Sequence, residues 1–484
     1  MTELLETFRR SVAESNLRGE LDGAAWRFVL PGDVDRVLWR QAPGSGAARD
    51  REVIARHAVV VVADGRVPAD GEPIGLVVGR MGVDDGGCDE GCAGIDLDDG
   101  DDASAGRTLE LHYEDDELRG VAPLADTSAR AILARHVGPP GPVLRSLKQR
   151  IRRRPQRIRR TTRGSLWGVQ DGPPAWLVEA ASAAGTDISR HGWALWCRGE
   201  FGSQKLVMFL VPPGGTEPSA VVKITRDPRF NDRLVNESDV LHAIRRFSPA
   251  VTTGAPTPLF DATVWGSAAV AQAAVVGTDL RAQLGRRPEL VGRVTEWMTA
   301  LALESSSPVR PGEVAECLAE LIDRYCALYP VPSAVEAFLR SQAGELSRAE
   351  FGAVVQHGDP GPWNAVATPD GEFAFLDWEA GEVRGFPLWD LLYFLRSASL
   401  VTSVNRPWQT RRSRVRRDLV DGSPVGDAIA THVHAYVDAV RLDPALVEPL
   451  FHLCWVHRAV KQANRLPVRR RASGTFHQLV LDGV

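Results

Sequence analysis

The densest chemistry in the chain lies in VVQHGDPGPWNAVATPDGEFAFLDWEAG, which places Asp359, Asn364 and Asp377 within one short stretch. Asp359 sits in a Gly- and Pro-containing loop after the apolar run AVV, and Asn364 follows five residues later. Phosphoryl transfer asks a protein for this combination. It needs a carboxylate beside the acceptor hydroxyl, oxygen donors for Mg²⁺, and cations on the phosphates, because positioning and charge stabilisation supply most of the catalysis. A candidate cation lies upstream. Lysine occurs only at Lys148, Lys205, Lys223 and Lys461 among 57 basic residues. Lys223 lies within the apolar strand AVVKIT, where an arginine-rich chain has kept a compact ammonium.

These residues need elements to hold them. After Asn364 the turn TPDG reverses the chain into the strand EFAFLD, in which period-two alternation puts Phe373, Phe375 and Asp377 on one face and aims Asp377 at the site of Asp359. A helix is expected over approximately Asp232 to Phe247, with Glu237 on the same face as Val240, Leu241 and Ile244. A carboxylate on an apolar face wants a cation or water, and Lys223 is the natural candidate. The strands GWALWC and KLVMFLV flank RGEFGSQK, where Gly199, Gly202 and Ser203 could bring backbone N–H groups near phosphates. That segment lacks GxGxxG and reads equally as a plain hairpin turn. The later strand AAVAQAAVV leads into a segment near Ala273 to Val275 that the family resemblance given next implies as the adenine hinge.

The ordered set HGDxxxxN then DWE resembles the aminoglycoside phosphotransferase and choline kinase group, relatives of the protein kinases in fold. The resemblance implies an α+β, protein kinase-like two-lobed fold, with an N-lobe over 175–275 and a C-lobe over 276–484 carrying the catalytic loop and acceptor pocket. ATP and Mg²⁺ are the implied cofactors. Asp359 would be the catalytic base or acceptor-orienting carboxylate, Asn364 and Asp377 the Mg²⁺ ligands, and His357 the organiser of the loop. Asp390, in PLWDLLYF, would brace that loop. The Lys223–Glu237 pair would set the lysine on the α- and β-phosphates. From Leu388 onward there are fourteen Lys or Arg against eight Asp or Glu. That balance favours a neutral or anionic hydroxyl acceptor, such as a sugar or a lipid-linked glycan, over a polycation. Arg411 to Arg417 reads equally as a solvated face. The alternative from a different class is a non-catalytic kinase-like scaffold or binding protein.

At 484 residues two or three domains are expected. With 25% charged and 44% hydrophobic residues and no apolar run near the roughly 18 that suggest a membrane span, the composition is that of a soluble protein. The polar start MTELLETFRRSVAES lacks a signal-peptide pattern, so the expected location is the cytoplasm, peripheral to the membrane at most. Six scattered cysteines suit a reducing compartment. Cys88 and Cys92 lack the second pair a zinc site needs, and Asp96, Asp98 and Asp99 fail the spacing of a calcium loop.

Residues 84 to 117 hold fourteen Asp or Glu against Arg107 alone, whereas Arg145 to Arg163 holds ten Lys or Arg and no acid. Leu144, Leu147 and Ile151 recur at helical spacing, so an amphipathic basic helix ending near Pro155 could meet anionic lipid at a membrane surface. The plainer reading is a solvated basic linker over 138–174 that partly neutralises the acidic region. No nucleic-acid partner is expected. Earlier, VLWRQ, APGSG, AARDREVIARH and AVVVVAD read as strand, glycine turn, helix and strand, with Gly44 and Gly46 at the turn and Asp64 at the end. With WRFVLP, residues 26–64 resemble the opening of an S-adenosylmethionine-dependent methyltransferase, which implies a small Rossmann-like α/β domain over 1–137. Arg40 stands near the place of the usual acidic residue, so a truncated, non-catalytic state is expected, with an active methyltransferase as the competing reading.

Overall fold

The computed structural model describes residues 38–40, 60–62, 77–80, 107–114, 117–137, 159–166, 172–197, 205–226, 228–264, 266–368, 371–402, 411–463, 466 and 468–483. The chain divides into two compact units, one of residues 18–234 with 259–274, the other of residues 1–17, 235–258 and 275–484.

The first unit is built on a sheet. Its strands are β1 (Leu38–Arg40), β2 (Val60–Val62), β3 (Val77–Arg80), β4 (Arg107–Glu114), β5 (Glu117–Pro123), β6 (Arg159–Leu166), β7 (Gly192–Cys197), β8 (Lys205–Val211), β9 (Ala220–Thr225), β10 (Pro258–Val264) and β11 (Ser267–Ala273). They lie in the order β1-β2-β3-β6-β4-β5-β7-β8-β9-β11-β10. The pairs β7/β8, β8/β9 and β9/β11 are antiparallel, the first two joined by short connections and the third by a long one that includes β10. Alternation gives β8 two buried faces. Leu206, Met208 and Leu210 pack with Trp193, Leu195 and with Leu177 and Ala181 of the helix Ala175–Ala183. Phe209 and Val211 face the other way, onto Ala129, Ile132 and Leu133 of the helix Thr127–Val137. On β9 the same alternation sets Val222 and Ile224 in the first core and Lys223 on the opposite face, 6% exposed.

That second core departs from the expected division of the chain. β5 pairs with β7, Gly120 opposite Trp196 and Val121 opposite Leu195, and the helix after β5 covers the sheet face that β7 and β8 would otherwise leave bare. Residues 117–137, expected in a separate Rossmann-like domain, therefore belong to this sheet. The basic segment differs as well. β6 lies within the stretch expected as a linker, and its register sets Arg163 opposite Glu110 and Arg159 opposite Glu114. Residues 145–158, where the lipid-binding helix was expected, lie outside the described residues, as do Cys88, Cys92 and Asp96–Asp99. β1 and β2 do pair in parallel, as a strand–helix–strand unit requires, but the glycine turn and helix between them also lie outside the described residues.

The second unit is mainly helical. Its core gathers Leu290, Val294 and Trp297 of the helix Glu289–Ser305, Leu318 and Ile322 of Pro311–Leu328, Phe394 of Trp389–Thr402, and Leu453 and Val456 of Val447–Ala463. Two small sheets lie against this core. Gly352–Gln356 pairs antiparallel with Glu382–Gly385, and Ala365–Ala367 with Phe373–Phe375. Among the described residues no helix is long and apolar enough to cross a membrane.

Candidate active site

The strand Gly352–Gln356 carries the chain into the loop, and its apolar residues Ala353, Val354 and Val355 anchor it in the core. His357 follows at 1% exposure, its ring against Trp378 at 4.6 Å and Phe375 at 5.4 Å. Its Nε2 lies 2.8 Å from the Leu376 carbonyl, and the Asp359 N–H donates to Nδ1 at 3.2 Å. A donor at Nε2 and an acceptor at Nδ1 define a neutral imidazole. Burial holds its pKa below the usual value, against the opposing pull of Asp390. His357 thus ties the loop on one side to the chain entering Asp377 on the other.

Gly358 turns the loop with a φ of +74°, and a Cβ there would strike the Ala380 carbonyl. Its backbone is held on both sides. Its N–H donates to Asp390, 3.3 Å from each carboxylate oxygen. Its carbonyl accepts from Arg458 Nη1 at 2.5 Å and Lys461 Nζ at 3.2 Å. Asp390, in the first turn of the helix Trp389–Thr402, also accepts the His357 N–H at 2.5 Å and Arg458 Nη2 at 3.3 Å.

Asp359 and Asn364 are bound to each other. The Asn364 side-chain amide donates to the Asp359 carbonyl at 2.9 Å and to its carboxylate at 3.2 Å. With its N–H bonds directed there, the Asn364 Oδ1 is left to accept or to coordinate. The Asn364 carbonyl accepts from the Leu376 N–H at 2.6 Å, continuing the register that pairs Ala365 with Phe375. This brings Asp377 beside Asn364. The route differs from the expected one, because the strand ends at Phe375 and Asp377 adopts φ 71°, ψ 57° at the head of the turn Trp378–Ala380. A left-handed residue breaks the pleat, so alternation does not carry the side chain to the site; Asp is among the few types that tolerate this conformation. Asn364 Oδ1 and the Asp377 carboxylate are hard oxygen donors of the kind Mg²⁺ takes, and Mg²⁺ characteristically keeps water or phosphate in its other positions. Among the described residues no group of three or more His, Cys, Asp or Glu forms a self-sufficient cage.

The helix Val447–Ala463 contributes residues that reading the loop missed. Arg458 is 4% exposed and sets its guanidinium 3.9 Å from the Tyr393 ring centre. Tyr393 interacts with Asp359 through its hydroxyl, and burial, then the Asp359 charge, raise its pKa. Burial, then Arg458, push the Lys461 pKa down to about 8. The available signals were the three-residue spacing of Arg458 and Lys461 on one helical face, and the scarcity of lysine.

Lys223 lies on β9 of the sheet unit, and Glu237 on the helix Asn231–Ile244, within the part that belongs to the helical unit. Glu237 is 0% exposed, and Val240, Leu241 and Ile244 are buried with it as its face required. Asn236, one residue earlier, donates to the carbonyls of Gly381 at 2.9 Å and Glu379 at 3.3 Å, fastening this helix to the turn after Asp377. β7 and β8 flank the RGEFGSQK segment as expected; Gly199, Gly202 and Ser203 lie outside the described residues. The candidate hinge begins where β11 ends, at Ala273.

Residues 206–421, which include every one of these loop residues up to Asp390, match the model of the phosphotransferase enzyme family. This segment is similar to that family. Arg458 and Lys461 lie beyond the matched stretch. No curated protein matches the chain. Among solved structures, the chain is similar to a thermostable mutant of aminoglycoside phosphotransferase APH(4)-Ia in complex with ADP and hygromycin B, at 14% identity and TM-score 0.38 over 60% of this chain and 93% of that one. It is similar at 12% identity and TM-score 0.38 to the choline kinase LicA from Streptococcus pneumoniae, over 60% and 92%. A third is APH(3'')-Id from Streptomyces rimosus with ADP and streptomycin, at 15% identity and TM-score 0.34 over 51% and 88%. The methyltransferase resemblance of residues 26–64 is not borne out by any of these comparisons, and neither is the contact of Arg145–Arg163 with lipid.

Proposed function

We propose that the phosphotransferase domain moves the γ-phosphoryl group of ATP to a hydroxyl of a small molecule, with Mg²⁺ as the metal. The observation that carries this reading is the joined arrangement of Asp359, Asn364 and Asp377. Asn364 is bonded to Asp359 through its side chain and to the residue before Asp377 through its backbone. Asp359 is the group that orients the acceptor hydroxyl and takes its proton as the oxygen–phosphorus bond forms and ADP departs. Asn364 and Asp377 would hold the metal, whose charge offsets that of the phosphate oxygens. His357 and Asp390 fix the loop. Lys223, Glu237 and the segment with Gly199, Gly202 and Ser203 are the residues assigned to the nucleotide, with the hinge near Ala273 to Val275 for adenine.

The acceptor we favour is a neutral or anionic hydroxyl compound, such as a sugar or glycan-related molecule. The bulk charge of the C-terminal region is weaker support than it looked, because Arg412, Arg416 and Arg417 are engaged with Asp482, Asp421 and Asp418. Arg458 and Lys461 are different, since both act electrostatically on Asp359 and would oppose a polycation there.

Labelled ATP, Mg²⁺ and a panel of hydroxyl acceptors test the reading. Transfer is expected from the wild-type chain and is expected to be lost in Asp359→Ala and Asp377→Ala, with the fold retained by circular dichroism. Undiminished transfer by Asp359→Ala would defeat it. An absence of both transfer and ATP-induced thermal stabilisation would point instead to the scaffold reading.

A further inference from the structure

The Gly358 carbonyl carries two cations, and one would satisfy it. Arg458 already donates at 2.5 Å and is neutralised by Asp390 at 3.3 Å. The Lys461 ammonium at 3.2 Å adds a second positive charge beside the first in a half-buried place, where the hydrogen bond to the carbonyl does not by itself call for it. A leucine or methionine would fill the same volume without the second charge. We infer that Lys461 is a positioning residue for the reaction, its charge on the Gly358 carbonyl, together with Arg458, fixing the peptide that leads directly into Asp359.

The inference rests on the proposed phosphotransferase reaction. Gly358 and Asp359 share a peptide bond, so a donor that holds the Gly358 oxygen holds the plane from which the Asp359 backbone departs. The opposite end of Gly358 is bonded to Asp390, and the next N–H, that of Asp359, to His357. Lys461 completes the constraint on the side that faces neither of them. The charged groups around it are Arg458 and His457 on its own helix, Asp359 on the loop, Asp390 on Trp389–Thr402 and Glu382 on Glu382–Gly385. The acids hold the ammonium charged, while burial and Arg458 oppose them, which places its titration within reach of ordinary assays.

The test compares wild type with Lys461→Met, which keeps length without charge, and Lys461→Arg, which keeps charge. ADP formation from Mg·ATP, with water as the acceptor, is followed across pH 6.5 to 9.5, and ATP-induced thermal stabilisation is measured on the same proteins. Lys461→Met is expected to lower kcat roughly 10- to 100-fold, the loss that small misplacements of a reacting group produce, with ATP stabilisation unchanged. Lys461→Arg is expected to recover most of the rate. The wild-type rate should fall as pH rises through about 8, where the ammonium loses its proton, and this limb should be absent from Lys461→Met and move upward in Lys461→Arg. A Lys461→Met protein as fast as an active wild type, or one whose rate loss tracks lost thermal stability and keeps the alkaline limb, would overturn the inference alone. A wild type no faster than Asp359→Ala would overturn the phosphotransferase reading and this inference with it.

Discussion

Asp390 is the residue whose removal should do most damage for the fewest atoms. Its carboxylate is 13% exposed and its partner Arg458 4% by side chain, so Asp390→Ala leaves a guanidinium buried without its counter-charge. Breaking a buried pair from one side typically costs about 3–5 kcal/mol. The N–H groups of the buried residues His357 and Gly358 lose an acceptor at the same time. At about 2–4 °C per kcal/mol for a unit of this size, the melting temperature should fall by roughly 6–20 °C. Urea unfolding measures the loss directly from the shift in midpoint at constant slope. The decisive comparison is the double variant Asp390→Leu/Arg458→Met, which removes both charges and should be less destabilised than Asp390→Ala, since no lone ion is then buried. A loss under about 1 kcal/mol in the single variant, or a double variant as poor as the sum of its parts, would refute the claim that this pair is electrically coupled.

Gly358→Ala should destabilise the helical unit or fail to fold, because φ is +74° and the new methyl would meet backbone at Ala380; yields and a thermal melt report it. Asn236→Ala removes two hydrogen bonds from the buried amide to Glu379 and Gly381, and a loss of about 1–3 kcal/mol is expected by chemical denaturation, with Asn236→Asp no rescue, since it cannot donate to them. Stability should fall as pH drops below about 6.5, because His357 and His457 have folded pKa values held down by burial. The unfolded chain then takes up protons that the folded one refuses, each group contributing up to about 1.4 kcal/mol per pH unit. Melting temperatures that rise on acidification from pH 7 to 5 would contradict this.

The loop was legible in the sequence because most of its chemistry is local: His357, Asp359 and Asn364 lie on one turn, and Asp390 joins them from a helix start 33 positions after His357. Asp377 was legible as a residue but not as a geometry. Period-two alternation assumes a continuous pleat, and the left-handed backbone at Asp377 ends the pleat two residues early. Arg458 and Lys461 were hidden for another reason. They lie about a hundred positions from the peptide they hold, and a helical pattern reports which face is apolar, not which loop that face will meet. Long-range pairing of the same kind also crosses the expected linker: composition marks 138–174 as a linker, and within it Arg159–Leu166 pairs with the strand Arg107–Glu114.

The two kinds of failure have one physical root. Backbone preference and side-chain periodicity act over a few residues, whereas a buried charge is placed by whichever distant group can neutralise it. Lys461 shows how far the second rule reaches. Its ammonium is matched there by the acids around it, Asp359, Asp390 and Glu382, which sit on three separate elements. A scarce lysine in an arginine-rich chain is therefore a long-range signal, readable only once the fold supplies the address.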